Sequence, residues 1–412
     1  MSDRTRRVVV TGMGVVSPIG NSVDLFWDSL INGKSGIAKL SKFDTTDYKV
    51  KIGAEVKSFD AKDILQPAEL RRNDLYASYA LVAAHQAVSQ SGIVGNVDVN
   101  RLGVYVGSGI GGINTLIANH DLLLQKGPSR VSPYFIPMMI PNIASGLIAI
   151  KYGAKGVNLP IVSACATSTH SIGEAYRAIK YDYADAIITG GSEAPLCGLA
   201  LAGFINCMAL SANPDPNTAC RPFDKDRDGF VIGEGAGMLI LEEYQHAKAR
   251  GAKILGEIVA YGNTCDAYHI TAPSPDAFSG SQAITQVKTQ AGIDKTHKVY
   301  INAHGTSTTL NDKTETAAIK TAFGSQAMDI AISSTKSMHG HMLGATGAAE
   351  AIACVMSLQH GILPPTINYG TPDQDCDLDC IPNNSRVQSV DYAISNSLGF
   401  GGHNAVIAFK KV

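Results

Sequence analysis

One cysteine, two histidines and one lysine stand in this sequence where their surroundings would let them do chemistry. Cys165 lies in Ser163-Ala164-Cys165-Ala166-Thr167-Ser168-Thr169-His170, after the apolar run 157–162 and before Ile172, Ala175 and Ile179, which keep one helical face. That pattern puts the thiol at a strand-to-helix junction, where unpaired backbone N–H groups and the helix dipole favour a thiolate. A thiolate so placed is suited to attack on a carbonyl or thioester, whereas the same cysteine read as a small buried hydrophobe would be inert. His304 closes the apolar run 299–301 within Asn302-Ala303-His304-Gly305-Thr306-Ser307-Thr308. At the rim of an α/β scaffold it could donate a hydrogen bond to a carbonyl or act as a base; a capping or core role is the alternative.

A third segment, Ser333-Ser334-Thr335-Lys336-Ser337-Met338-His339-Gly340-His341-Met342-Leu343-Gly344, follows Ile330-Ala331-Ile332 and precedes an apolar, alanine-rich stretch. Its Gly340-His341 step can bring backbone and imidazole close to a substrate, and Lys336 can organise charge around it. His339 and His341, two apart, would share one face of a strand, but no carboxylate or cysteine nearby completes a metal-binding set. The chain closes with Gly399-Phe400-Gly401-Gly402-His403-Asn404, whose glycines would serve either a loop of backbone N–H donors or a tight connector between two strands. Gly107-Ser108-Gly109-Ile110-Gly111-Gly112 has neither the phosphate-loop lysine nor the full dinucleotide fingerprint, so nicotinamide chemistry is not expected.

The elements that must hold these residues are short apolar runs at 8–10, 102–106, 186–189, 238–241, 299–301, 392–394 and 405–409, punctuated by glycine. With longer helical stretches between them, they predict buried strands and crossovers in a layered α/β fold. Helices are expected over 74–88, 313–323 and 344–358, the last buried because it is apolar nearly all round. Residues 264–281 and 373–384 are expected to be loops; the four aspartates and two cysteines of the second mix hard and soft ligands at no recognised metal spacing.

The 412 residues include 34 Lys+Arg and 36 Asp+Glu, a formal charge of −2 that offers no general argument for nucleic-acid binding. Eight cysteines are too sparse for a secreted disulfide scaffold, so reduced thiols are expected. Residues 1–7 are basic but lead directly into an apolar strand without a cleavage region, and prolines or glycines interrupt the uncharged stretches 131–150 and 194–214. Export and a membrane span are therefore not expected, and a cytoplasmic location is.

Taken in order, Ala164-Cys165-Ala166-Thr167-Ser168, Asn302 to Thr308, Thr335-Lys336-Ser337 with Gly340-His341, and Gly399 to Asn404 resemble the condensing enzymes of the thiolase superfamily, the bacterial β-ketoacyl-acyl-carrier-protein synthases of type II above all. Val9-Val10-Thr11-Gly12-Met13-Gly14 and Arg221-Pro222-Phe223-Asp224 with Gly229-Phe230 extend the resemblance over essentially the whole chain. It implies a thiolase-like duplicated α/β fold with α-β-α-β-α layers, a half at 1–255 carrying the nucleophile, and a half at 256–412 carrying the catalytic histidines. It further implies a homodimer that takes acyl and malonyl groups from an acyl carrier protein in fatty-acid elongation. The only prosthetic group in that reaction is the phosphopantetheine of the carrier; no cofactor or metal is expected on the chain itself.

By the same resemblance Cys165 accepts the acyl group, and His304 and His341 polarise the malonyl thioester as it loses carbon dioxide. Lys336 gives electrostatic support near His304 and Glu315, and the N–H groups of Cys165 and Phe400 form an oxyanion hole that the Phe400 side chain gates. Thr306 and Thr308 contact the phosphopantetheine arm, Ile110 bounds the acyl pocket, and Arg71, Arg72 and Arg130 lie on the docking side. Two departures are Thr309, where close relatives commonly carry proline, and Met208, where some carry arginine on the carrier-binding face. A discrete polyketide ketosynthase using the same chemistry is the principal alternative, and a noncatalytic carrier-binding protein a more distant one.

Overall fold

The computed structural model describes residues 5–412, in which nine strands form one hydrogen-bonded sheet. In chain order they are β1 (Val8–Val16), β2 (Leu102–Gly107), β3 (Ala186–Glu193), β4 (Gly235–Glu243), β5 (Gly256–Cys265), β6 (Val299–Asn302), β7 (Ala331–Ser333), β8 (Tyr392–Gly399) and β9 (His403–Lys410). Their order across the sheet is β2-β3-β4-β1-β5-β9-β8-β6-β7. The runs expected to be strands all lie within these elements. Most are buried on both faces, which is why they read as unbroken apolar stretches rather than as alternating ones.

The sheet repeats itself. Outward from β1 the pairings are antiparallel to β4, antiparallel to β3 and parallel to β2; outward from β5 they are antiparallel to β9, antiparallel to β8 and parallel to β6. A further parallel pairing closes each series, Asn158 against Val104 in one and β7 against β6 in the other. Among the described residues the two series pair where Val8–Val10 meets Gly256–Ile258.

Between them lie two helices, α4 (Thr167–Lys180) and α7 (Thr346–His360), each packed on strands of both series and on the other helix. Outside the first series lie α1 (Leu75–Ser91) and α3 (Ile143–Tyr152), with α2 (Ile113–Lys126) beyond β2 in the chain; outside the second lie α5 (Phe278–Ala291) and α6 (Thr309–Phe323). The result is five layers, helix-sheet-helix-sheet-helix, as the resemblance implies. A central helix in this arrangement has no solvent face, so Ala348, Ala349, Ala351, Ile352, Ala353 and Val355 of α7 are all fully buried.

Local chemistry adjusts the expected boundaries. Asp74 caps α1 by accepting from the Tyr76 N–H, and the helix runs past residue 88 until Gly92 takes φ +61°. The expected loop 264–281 ends early because α5 begins at Phe278, and α6 begins at Thr309 rather than 313. The stretch 344–358 opens with a 3₁₀ turn, Leu343–Ala345, before α7 proper. In 373–384 the four aspartates are engaged in ion pairs, Asp373 with Arg227, Asp375 with Lys313, Asp377 with Lys320 and Asp379 with Arg386. Among the described residues no cluster of His, Cys, Asp and Glu is arranged to hold a metal ion. No helix among them is long and apolar enough to cross a membrane.

Candidate active site

Cys165 sits in the turn that launches α4. Ala164 takes the left-handed φ of +50°, a 3₁₀ turn spans Ala164–Ala166, and α4 starts at Thr167. Thr167 Oγ1 accepts from the Ser163 N–H at 2.9 Å, and Ser163 Oγ lies 2.6 Å from Nδ1 of the buried His170, so the turn is pinned from both sides. The end of β8 runs against it. A Cβ on Gly399 would come within 2.7 Å of the Ser163 carbonyl oxygen, so only glycine allows this approach. The approach brings the Phe400 backbone N–H near the Cys165 sulfur.

The two histidines arrive from the other half of the sheet. His304 follows β6, and Glu315 of α6 holds its backbone: one carboxylate oxygen accepts from the His304 N–H and the other from the Gly305 N–H, each at 2.8 Å. Asn396 Nδ2 donates to the same carboxylate at 3.1 Å. His341 is fixed through its backbone, donating to Val231 O at 2.7 Å while its carbonyl accepts from the Gly233 N–H at 2.8 Å. Its ring Nδ1 is 3.1 Å from Thr346 Oγ1, and its face meets the edge of Phe230 at a centroid distance of 5.1 Å. The two imidazoles stand nearly perpendicular with centroids 5.4 Å apart.

Both rings and Cys165 line one cavity of about 290 Å³. Nε2 of His341 and Nδ1 of His304 are buried without a protein partner. When the Thr346 hydroxyl donates to its Nδ1, His341 carries its proton on Nε2, where it is free to bond a ligand. Thr306, Thr308, Met208, Leu310, Phe230 and Phe400 also line the cavity, and the hydroxyls of Thr306 and Thr308 are 3.0 Å apart.

Lys336 is fully buried, and its ammonium pairs with Glu350 of α7. Glu315 therefore supports the His304 backbone, while the partner of Lys336 is a carboxylate that sequence reasoning did not single out. A signal for it exists: Glu350 is the one acid in the otherwise apolar α7, and a charge buried there needs a counter-charge. Phe230 and the Ser163–His170 pair near Cys165, and Thr346 beside His341, were likewise missed. His339 and His341 do not share a strand face, because Lys336–His339 form a helical turn. His339 is turned into the core against Thr335 Oγ1 and the Gly340 carbonyl, away from the cavity that His341 lines.

Ile110 packs in the apolar cluster that holds Cys165, Leu196 and Leu343 rather than in the open cavity wall. Arg71, Arg72 and Arg130 are exposed and outside the cavity lining; Arg72 stacks on the ring of Tyr134 at 4.8 Å. Met208, at 89% exposure, stands at the mouth.

The electrostatics correct one expectation. Burial pushes the Cys165 thiol up to about 12, opposed by the Lys336 charge and the Phe400 N–H and assisted by Glu193. Desolvation outweighs the stabilisation expected at a helix start. Both catalytic-site histidines are held well below their usual range, first by burial and then by the Lys336 charge, so both are neutral imidazoles at neutral pH. A raised thiol pKa makes the thiolate fraction grow about tenfold per pH unit throughout the physiological range. Alkylation of Cys165 by iodoacetamide, followed by peptide mass spectrometry, should accordingly climb between pH 7 and pH 9 without levelling off; a plateau near pH 7 would mean that the thiolate is already formed.

The family model described as "Beta-ketoacyl synthase, N-terminal domain" matches residues 5–247, and "Beta-ketoacyl synthase, C-terminal domain" matches residues 255–370. The chain belongs to the β-ketoacyl synthase family. It is 50% identical over 409 residues to the 3-oxoacyl-[acyl-carrier-protein] synthase 2 of Staphylococcus aureus strain N315, covering 99% of both chains. To the protein of the same name from Synechocystis it is 52% identical over 408 residues, covering 98% of both. Among solved structures it is similar to a type II polyketide acyl-carrier protein in complex with its ketosynthase bound to the hexaketide, with a TM-score of 0.90, 36% identity and coverage of 99% and 100%. The ishigamide ketosynthase/chain length factor gives a TM-score of 0.92 at 35% identity, with the same coverage.

Proposed function

We propose that this enzyme condenses an acyl group with malonyl-acyl-carrier protein, releasing carbon dioxide and a β-ketoacyl-acyl-carrier protein two carbons longer, in fatty-acid elongation. The observation that carries this reading is the convergence of Cys165, His304 and His341 on one cavity with both imidazoles neutral and a free ring nitrogen on each. In the first step the Cys165 sulfur attacks the acyl thioester, the bond to the carrier sulfur breaks, and the thiol proton leaves with the carrier thiol. The N–H groups of Cys165 and Phe400 receive the charge that develops on the carbonyl oxygen.

In the second step the malonyl thioester loses carbon dioxide, and the electron pair left behind moves toward its thioester oxygen. Neutral imidazole N–H donors strengthen their hydrogen bonds as that enolate forms, which lowers the barrier more than it tightens ground-state binding. The enolate carbon then attacks the acyl carbonyl on Cys165, and the sulfur leaves. Lys336, paired with Glu350, keeps the imidazoles neutral. The phosphopantetheine arm belongs to the carrier, and Thr306 and Thr308 are placed to bond it where it enters.

The halves 1–255 and 256–412, a cytoplasmic location and a homodimer complete the proposal. The exposed apolar side chains Leu116, Leu123 and Leu124 of α2, with Ile136, Leu159 and Val162, support a covered face on that side. Arg71, Arg72 and Arg130 remain the candidates for attracting an acidic carrier, a contribution that should weaken with salt. A discrete polyketide ketosynthase is the second reading, favoured by the likeness to two ketosynthase structures, at lower identity than to the elongation enzymes.

Product masses from purified enzyme with malonyl and straight-chain acyl carrier proteins decide between them: a β-ketoacyl product two carbons longer is expected. Turnover of a polyketide precursor alone would reverse the ranking. Within the same assay His304→Ala and His341→Ala should each lower labelled carbon dioxide release by about 10²-fold or more while acylation of Cys165 falls much less. Loss of acylation with decarboxylation intact would contradict the assignment.

A further inference from the structure

The duplication of the sheet extends to the nucleophile turn. Ala164–Ala166, with φ +50° at Ala164, leads into α4; Leu343–Ala345, with φ +47° at Leu343, leads into α7. Gly344 is thus the counterpart of Cys165. Against the Cys165 turn runs the end of β8 at Gly399, and against the Gly344 turn runs the end of β3 at Glu193. Where the first turn opens on the cavity, the second is filled by a carboxylate.

Glu193 is fully buried, and among the described residues its partners are four hydrogen-bond donors, none of them a cation. One oxygen accepts from Ser108 Oγ at 2.8 Å and from the Ile110 N–H at 3.0 Å; the other accepts from the Gly109 N–H at 2.8 Å and the Gly344 N–H at 3.0 Å. Three of the four donors are backbone amides that cannot reverse the bond, and together the four fill the lone-pair positions of an ionised carboxylate. Space is as tight as the bonding: a Cβ on Gly344 would lie 2.6 Å from the Gly109 nitrogen and 2.7 Å from the carboxylate. Ser108 Oγ in turn accepts from the Gly111 N–H at 2.9 Å, so the carboxylate organises residues 108–111 as a unit.

We propose that Glu193 is a positioning residue that sets acyl-chain selectivity, by tying the loop that carries Ile110 to the turn beside the nucleophile. The loop packs the Ile110 side chain against the cluster that contains Cys165, Leu196 and Leu343. No side chain on the loop except Ser108 contributes to this anchorage; the rest is backbone, so the restraint resides in Glu193. The proposal rests on the condensing reaction proposed above and names what limits its acyl substrate.

Glu193→Gln conserves shape but turns one oxygen into an N–H₂ group facing backbone N–H donors, which forces that part of the loop away. Two measurements follow. Hydrogen exchange of the peptide covering 108–112 should accelerate about tenfold or more while exchange in α1 is unchanged, a readout independent of activity. Across straight acyl donors from short to long, the spread of kcat/KM should narrow about tenfold, with labelled carbon dioxide release from malonyl carrier within about twofold of the parent. Ser108→Ala, which removes one of the four bonds to the carboxylate and the Gly111 N–H bond to the Ser108 hydroxyl, should shift both readouts in the same direction by a smaller factor. It decides the matter alone if Glu193→Gln does not fold.

Unchanged exchange at 108–112 would overturn the anchorage. Accelerated exchange with an equal proportional loss at every chain length, or with no change in the spread, would overturn the role in selectivity. An enzyme that condenses no acyl donor even as the parent would instead refute the reaction, leaving the exchange result to judge the anchorage.

Discussion

Cys165→Ala should lose condensation by roughly 10⁴-fold or more while continuing to release carbon dioxide from malonyl carrier. The two partial reactions use different groups. The sulfur is required for the acyl-enzyme, and no other thiol is placed to replace it: Cys207, although at the cavity mouth, is separate from the turn that brings the Phe400 N–H to Cys165. In the proposed mechanism decarboxylation relies instead on His304 and His341, whose backbones are held by Glu315 and by Val231 and Gly233. Mass spectrometry of the tryptic peptide should find the acyl group on Cys165 in the parent and none in the variant. A variant that still condenses at the parental rate would remove the nucleophile from the mechanism, and one that loses both reactions equally would show that the turn itself had been disrupted.

The second large effect is on stability. Lys336→Met removes one member of a pair in which both side chains are buried, leaving Glu350 without its counter-charge in the core. Breaking such a pair costs about 3–5 kcal/mol, measurable as a lower urea midpoint. Lys336→Met with Glu350→Gln should recover most of that loss, because the buried charge is then gone from both sides.

The pH dependence has a definite sign. Burial already lifts the Glu350 carboxyl to about 7 in spite of Lys336, and without the ammonium it must rise further. A carboxyl raised in the folded state binds more protons there than in the unfolded chain. Stability is therefore fully present below the unfolded pKa and falls as pH rises toward the folded value. The deficit of Lys336→Met should shrink on going from pH 8 to pH 5.5; a deficit that stayed constant would show that the carboxyl is not the source of the cost. Carbon dioxide release should also fall in this variant, since the Lys336 charge is one of the causes that keep both imidazoles unprotonated.

Much of this was legible before any coordinates. Cys165, His304 and His341 each stand beside glycine or small residues at the end of an apolar run, and such patterns mark strand ends at a site because a buried strand and a close backbone approach both leave traces in composition. Lys336 was legible as a charge between two apolar stretches. The limits show at the same residues. Reading His339 and His341 as strand neighbours failed because periodicity cannot foresee the helical turn Lys336–His339. The cysteine was expected to be a ready thiolate from its place at a helix start, yet the buried sulfur responds more to lost hydration than to the dipole.

What the sequence alone determined was the order of elements, the identity of the chemical groups and the resemblance that joins them, since each depends on residues near one another in the chain or on an ordered series of motifs. The tertiary structure decided which groups meet. Glu350 finds Lys336, Glu315 finds the His304 backbone, and Glu193 finds Gly344 and the loop at 108–111, across 14, 11, 151 and about 84 residues of chain. The long-range partnerships arise because the two sheet series close over α4 and α7, and buried charges there must pair with whatever the packing brings within reach. The charge state of Cys165 and the two imidazoles follows from the same closure, because water is excluded only once both halves are in place.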